Sequence, residues 1–219
     1  MSAASPLPAR SLPIVAAVDE AERPALAAAV EQLATGLTAA GQPRPIELVF
    51  RPSVEAIELP GRPTVVIASL LPEMARQDRP WAETVARWQA EIARLVASNN
   101  VHLFLCTVFR HVSRGLDEPR RAATVERIRR LNPLAVELSH DSDATIVDID
   151  RAFAHIGAGR LETDYRLAGP MAAEIAGRVI VTGILFAALD DLLPPELQEA
   201  ARRPLRSWQE AVKAPHGAD

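Results

Sequence analysis

Side chains able to act as nucleophile, base or acid in this chain stand mostly where short apolar runs end. Ser69 closes the run Thr64 to Ser69, and Thr107, Arg110 and His111 stand at and just beyond the end of the run that starts at Val101. Asp148 and Asp150 follow another run, Asp19 and Glu20 follow Leu12 to Val18, and Asp164 with Arg166 precedes a long apolar segment. A hydroxyl, an imidazole and a carboxylate make a nucleophile, its base and an orienting group when they converge. Ser69, His111 and one of Asp148, Asp150 or Asp164 are the candidate set for acyl transfer, with His155 near Asp150 as a second base. Glu20 and Asp164, both carboxylates, would instead suit acid–base work or a hard cation. Each also has a plain structural role: Ser69 capping a turn, His111 solvated beside Arg110 and Arg114, Glu20 as a helix-end charge, Asp164 as a turn former. Asp19, Glu20, Ser69, Thr107, Arg110, Asp164 and Arg166 are together the candidate ligand contacts. No metal or cofactor is expected, since there is no His-Glu-x-x-His and no Cys cluster. Gly157-Ala158-Gly159 leads to no phosphate loop.

Placing these residues requires alternating strands and helices. Leu12 to Val18, Pro45 to Phe50, Thr64 to Ser69, Val101 to Val108 and Ala144 to Ile149 read as strands, the third of them apolar on both faces through Val65-Val66-Ile67-Ala68 as covered parallel strands are. Helices are expected from Pro24 to about Gly41, from Pro80 to Ala97, from Thr124 to Leu138 with an interruption or kink at Pro133, and from about Gly169 to Leu189. Arg51 to Arg62 reads as an irregular connection. Right-handed crossovers then give an α/β fold, a three-layer α/β/α sandwich on a parallel sheet of about five strands. Pockets in such folds open outside the carboxyl ends of the strands, where the candidates lie.

The 219 residues, 48% of them hydrophobic, suffice for one core. One domain is expected over residues 12–193, after a disordered segment 1–11 and before a charged, partly helical tail 194–219. In that tail Leu197, Ala201, Leu205, Trp208 and Val212 suit either a helix folded back on the domain or, over 194–213, a docking segment for a protein partner; Pro204 is expected to divide it. A formal charge of −4 argues against nucleic acid as a partner. The single cysteine, Cys106, reads as a buried hydrophobe in a reducing compartment. No signal peptide or membrane span is apparent, so a cytoplasmic protein is expected.

From about Val65 to Leu185 the order of elements resembles the SGNH (GDSL-type) hydrolases. The likeness is carried by the strands Val65 to Ser69 and Leu103 to Phe109, the helix with Arg129, Arg130, Leu131 and Asn132, the strand Ala144 to Asp148, and Asp164 ahead of the last helix. Glu162-Thr-Asp-Tyr-Arg-Leu-Ala-Gly-Pro looks like that family's closing motif. The resemblance implies a serine in Gly-Asp-Ser after the first strand, a Gly and an Asn that help build an oxyanion hole, and Asp-x-x-His before the last helix. This chain has Val18-Asp19-Glu20 at the first place, so a carboxylate stands for the serine, and Ser69-Leu70-Leu71-Pro72 in place of Gly-x-Asn-Asp. Asp164 matches the closing aspartate, but Tyr165, Arg166 and Leu167 supply no imidazole.

Losing even one member of such a triad typically costs about 10⁴ to 10⁶ in turnover. The expected protein is therefore a degenerate SGNH-like member, a pseudoenzyme that serves as an accessory or binding protein or in an altered pathway step, with a small-molecule or acylated ligand. The alternative is an esterase or acyltransferase acting on acyl esters through a relocated nucleophile, Ser69, with His111 or His155 as base. A third version uses Glu20 and Asp164 for carboxylate-based chemistry.

Overall fold

The computed structural model describes residues 11–213 apart from 114 and 188, with the backbone alone for 206–213. The segment 1–11 expected to be disordered lies outside the described residues except for Ser11. Five strands form one parallel sheet in the order β2-β1-β3-β4-β5: β1 (Leu12–Ala17), β2 (Ile46–Arg51), β3 (Thr64–Ser69), β4 (Val101–Cys106) and β5 (Thr145–Val147). The three-layer α/β/α architecture read from the sequence is the one found. Central β1 and β3 are buried on both faces, which is why they read as unbroken apolar runs. β2 lies at an edge and alternates half-buried with exposed residues along most of its length.

Helices α1 (Arg23–Ala39), α6 (Pro170–Phe186) and α7 (Pro195–Lys213) cover one face; α2 (Trp81–Val96) and α3 (Glu118–Ser142) cover the other. On the first face Gly177 of α6 lies against α1 so closely that a Cβ there would stand 2.9 Å from the Ala29 nitrogen. Leu197 and Ala201 place α7 in the same core, and Ala201 packs on Gly36 of α1. The tail thus folds back on the domain as far as its side chains are described; Trp208 and Val212 lie outside the described side chains. On the second face Trp88, Ile92 and Leu95 of α2 meet Ile128, Leu131, Leu134 and Leu138 of α3. Trp88 is a core anchor, whereas Trp81 is only half-buried, under the guanidinium groups of Arg127 and Arg130 at 5.3 and 4.3 Å.

Several boundaries differ from the sequence reading. The third helix starts six residues early, because Asp117 caps it by accepting from the Arg120 N–H and Pro119 sits in its first turn. It then runs through Pro133 to Ser142. Pro133 and Arg129 are both exposed, so the carbonyl that loses its amide partner faces solvent and the helix is not ended. Likewise α7 runs through Pro204. The fifth strand stops at Val147, where Asp148 caps a helix the sequence reading missed, α4 (Ile149–Ile156), followed by the single turn α5 (Ala158–Leu161). No helix among the described residues is long and apolar enough to cross a membrane.

Candidate functional site

At the carboxyl end of β1, Asp19 opens a 3-10 turn, Glu20–Glu22, by accepting from the Ala21 N–H at 2.9 Å. Its own N–H donates to Glu22 Oε2 at 2.8 Å, completing a reciprocal capping box. Glu20, the carboxylate expected in the nucleophile's place, is exposed. The buried carboxylate is Glu22, 3% accessible, and the Ser69 hydroxyl donates to its Oε1 at 2.6 Å. The sequence signal for Glu22 was present as Asp-x-x-Glu before a helix, and was passed over. Burial pushes the Glu22 carboxyl up to about 7, although the bonds from Ser69 and the Asp19 N–H oppose the rise and the Asp19 charge adds to it. Burial, and then the charge of Glu22, also push the Cys106 thiol well above its ordinary value.

Ser69 itself is 1% accessible at the end of β3, and its oxygen accepts from the Leu71 N–H at 3.0 Å. The turn-capping role is realised, with Glu22 as a second partner. Among the described residues no hydrogen bond joins Ser69 to His111, His155 or Asp164.

The end of β4 is held from two sides. The Asn132 side chain on α3 accepts from the Val108 N–H and donates to the Val108 carbonyl, both at 2.8 Å. Thr107 donates to Asp148 at 3.2 Å and accepts from the Asp150 N–H at 3.0 Å, tying the ends of β4 and β5 together. Buried Asp150 accepts from the Arg110 backbone N–H and from its Nε, with Nη2 2.6 Å from the same carboxylate. Those bonds and that charge raise Arg110 above the usual guanidinium value. His111 is exposed, with its ring 5.9 Å from that of Phe109. Its backbone carbonyl accepts from the Tyr165 N–H at 2.8 Å, which sets the segment after β4 beside the one before α6.

In that last segment Asp164 forms the expected turn, accepting from the Arg166 N–H at 3.0 Å, and also takes Arg166 Nε at 3.0 Å and Nη2 at 2.6 Å. Burial works against ionisation of Asp164, but these bonds, with the Ser113 hydroxyl, hold its carboxyl below the usual value. Leu167, fourth in the Asp-x-x-x stretch, is buried with φ 56°. His155 is exposed near the end of α4. Among the described residues no group of three or more His, Cys, Asp or Glu side chains is placed to hold a metal ion.

The structure therefore sorts the candidates into three clusters: Asp19 with Glu22 and Ser69 in the interior, Thr107 with Arg110, Asp148 and Asp150 at the β4–β5 end, and Asp164 with Arg166 beside His111. Next to the second cluster a groove of about 680 Å³ runs between α3 and the open edge of β5, reached by Thr107 and Arg110 and floored by Val125, Ile128 and Ile146.

No protein-family profile matches the chain, and no curated protein matches it. Among solved structures it is similar to an acetyl xylan esterase, AlAXEase, with a TM-score of 0.58 and 12% identity over 79% of this chain and 100% of that one. It is also similar to a protein assigned to the SGNH hydrolases, from Slackia heliotrinireducens, with a TM-score of 0.50 and 13% identity over 81% of this chain and 100% of that one. At such identities the likeness speaks of architecture alone, and with the strand order above it establishes that this chain has an SGNH-hydrolase-like fold.

Proposed function

We propose that this protein keeps the SGNH scaffold without its ester-cleaving chemistry and acts by binding a ligand at the carboxyl rim of the sheet. One observation carries the reading: the Ser69 hydroxyl is spent on a buried carboxylate, Glu22, and not on an imidazole. A serine hydroxyl attacks a carbonyl only when a base removes its proton and the substrate can reach it. Here Ser69 and Glu22 are both inside the core, with Glu20 and Leu167 standing where the resemblance calls for serine and histidine. What the rim presents is Arg110 and Arg166, each fixed on a buried aspartate while 67% and 58% of its side chain stays exposed. Guanidinium groups oriented in this way suit a ligand with an anionic or strongly hydrogen-bond-accepting group.

The test is hydrolysis of short acyl esters such as p-nitrophenyl acetate by the purified protein. No turnover above that of heat-denatured protein is expected. Turnover abolished by Ser69→Ala would overturn the reading and establish the alternative, an esterase or acyltransferase with Ser69 as nucleophile. That alternative draws on the short contact between Ser69 and Glu22, a carboxyl whose raised pKa suits a base near neutral pH. A serine-directed fluorophosphonate separates the two directly: the binding protein stays unlabelled, the relocated enzyme is labelled at Ser69.

A further inference from the structure

The outer stripe of α3 carries opposite charges in a self-complementary order. Arg129, Pro133 and Glu137 fall four residues apart on one line of the helix, and all three are exposed along the groove beside β5. Arg129 and Glu137 are two helical turns apart, about 12 Å along the axis, and neither is in an ion pair among the described residues. Placed in the reverse order on an antiparallel neighbour, the same two residues become opposite charges facing each other. The midpoint of the arrangement is Pro133. A twofold axis through it sets Arg129 of each copy against Glu137 of the other, so one stripe supplies both halves of two ion pairs. This is the self-complementarity that an isologous contact demands.

Apolar surface lies on the same line. Val136, one of the few large exposed hydrophobic side chains among the described residues, is 55% accessible between the two charges, and Ile146 of the short edge strand β5 lines the groove next to it. The geometry points to a homodimer in which the α3 stripes of two copies cross antiparallel at Pro133, pairing Arg129 with Glu137 twice and covering Val136 and the groove beside β5. The occupant of the groove is thus a second copy of this chain. The groove shares its Thr107 and Arg110 end with the ligand reading above, but the dimer is carried by other residues, Arg129, Glu137 and Val136, so their charge reversals test it separately.

Sedimentation equilibrium of the full chain over a wide concentration range tests it. The unaltered protein is expected to dimerise, and Arg129→Glu and Glu137→Arg are each expected to weaken the dimer by at least about tenfold, because each puts two like-charged pairs in place of two attractive ones. The double variant R129E/E137R is expected to recover the dimer. Both positions are solvent-facing, so a circular dichroism spectrum and melting temperature like those of the parent confirm that the variants fold. A monomer at every concentration, a dimer indifferent to the single reversals, or failure of the double reversal to restore association would overturn the proposal.

Discussion

Gly177 brings α6 against α1 so tightly that the Ala25 carbonyl and Ala29 nitrogen stand within 3.0 Å of where a Cβ would be, while across the sheet α2 is tied to its surroundings by long charged side chains. There Glu73, 1% accessible, is met by Arg76 and Arg87, with Arg127 of α3 3.9 Å away, and Arg87 also pairs with Glu55. One face is closed by removing side-chain volume, the other by spanning distance with guanidinium groups. The first solution leaves no room for error in size; the second tolerates small shifts but depends on charge balance. The carboxyl rim repeats the contrast, since Glu22 is buried with a hydroxyl and an amide as partners whereas Asp150 and Asp164 each hold an arginine.

The comparison breaks most sharply at Glu73. Replacing it with Ala leaves Arg87 and Arg127 without their buried counter-charge, and a loss of about 3–5 kcal/mol in unfolding free energy is expected from urea denaturation. Next comes pH. The Glu22 carboxyl sits at about 7 when folded against 4.5 as an ordinary glutamate, so between those values the folded chain holds a proton that the unfolded chain has released. Stability from this group is therefore fully present below pH 4.5, falls as pH rises, and is lost above about 7, a change of about 3 kcal/mol. Glu22→Gln, which keeps an acceptor for the Asp19 N–H, is expected to flatten that decline and to raise the melting temperature at pH 8; an unchanged pH profile would show that another group titrates.

On the close-packed face, Gly177→Ala is expected to cost about 1–2 kcal/mol. Overpacking against backbone atoms that cannot yield outweighs the gain of about 1 kcal/mol in helix propensity. A stabilised variant would mean that α1 and α6 have slack. The smallest effect is expected at the exposed pair of Arg62 and Glu47, where Arg62→Ala should leave the urea midpoint nearly unchanged, with any shift confined to low salt. Equal sensitivity at this pair and at Glu73 would erase the distinction between buried and surface charge drawn here.

The layered fold was legible because parallel strands covered on both sides are near-continuous apolar runs, as Val65 to Ala68 is, and because Val85, Trp88, Ile92 and Leu95 repeat at helical spacing. Local errors came from signals in competition. Pro133 reads as a break, yet lies on the solvent side where the unpaired carbonyl costs little, and α4 is too short for its period to stand out against the apolar run before it. At the rim, Asp164 and Arg166 were recognised as a turn and a charge, but their bidentate pairing was not. Residues two apart on a strand share a face but point away from the backbone side by side; here the turn closed by the Leu167 N–H on the Asp164 carbonyl folds the Arg166 side chain back onto the carboxylate.

By itself the sequence settled which residue types are present and which periods they follow, and so that five strands and covering helices would form and that no imidazole follows Asp164 in its motif. Only the tertiary structure decided which carboxylate goes inside, Glu22 and not Glu20, and that Ser69 would be its partner across 47 residues of chain. The reason is physical: periodicity is a property of neighbours along the chain, whereas the partner of a buried polar group is chosen by whichever strand end the sheet order lays beside it, and β3 lies next to β1.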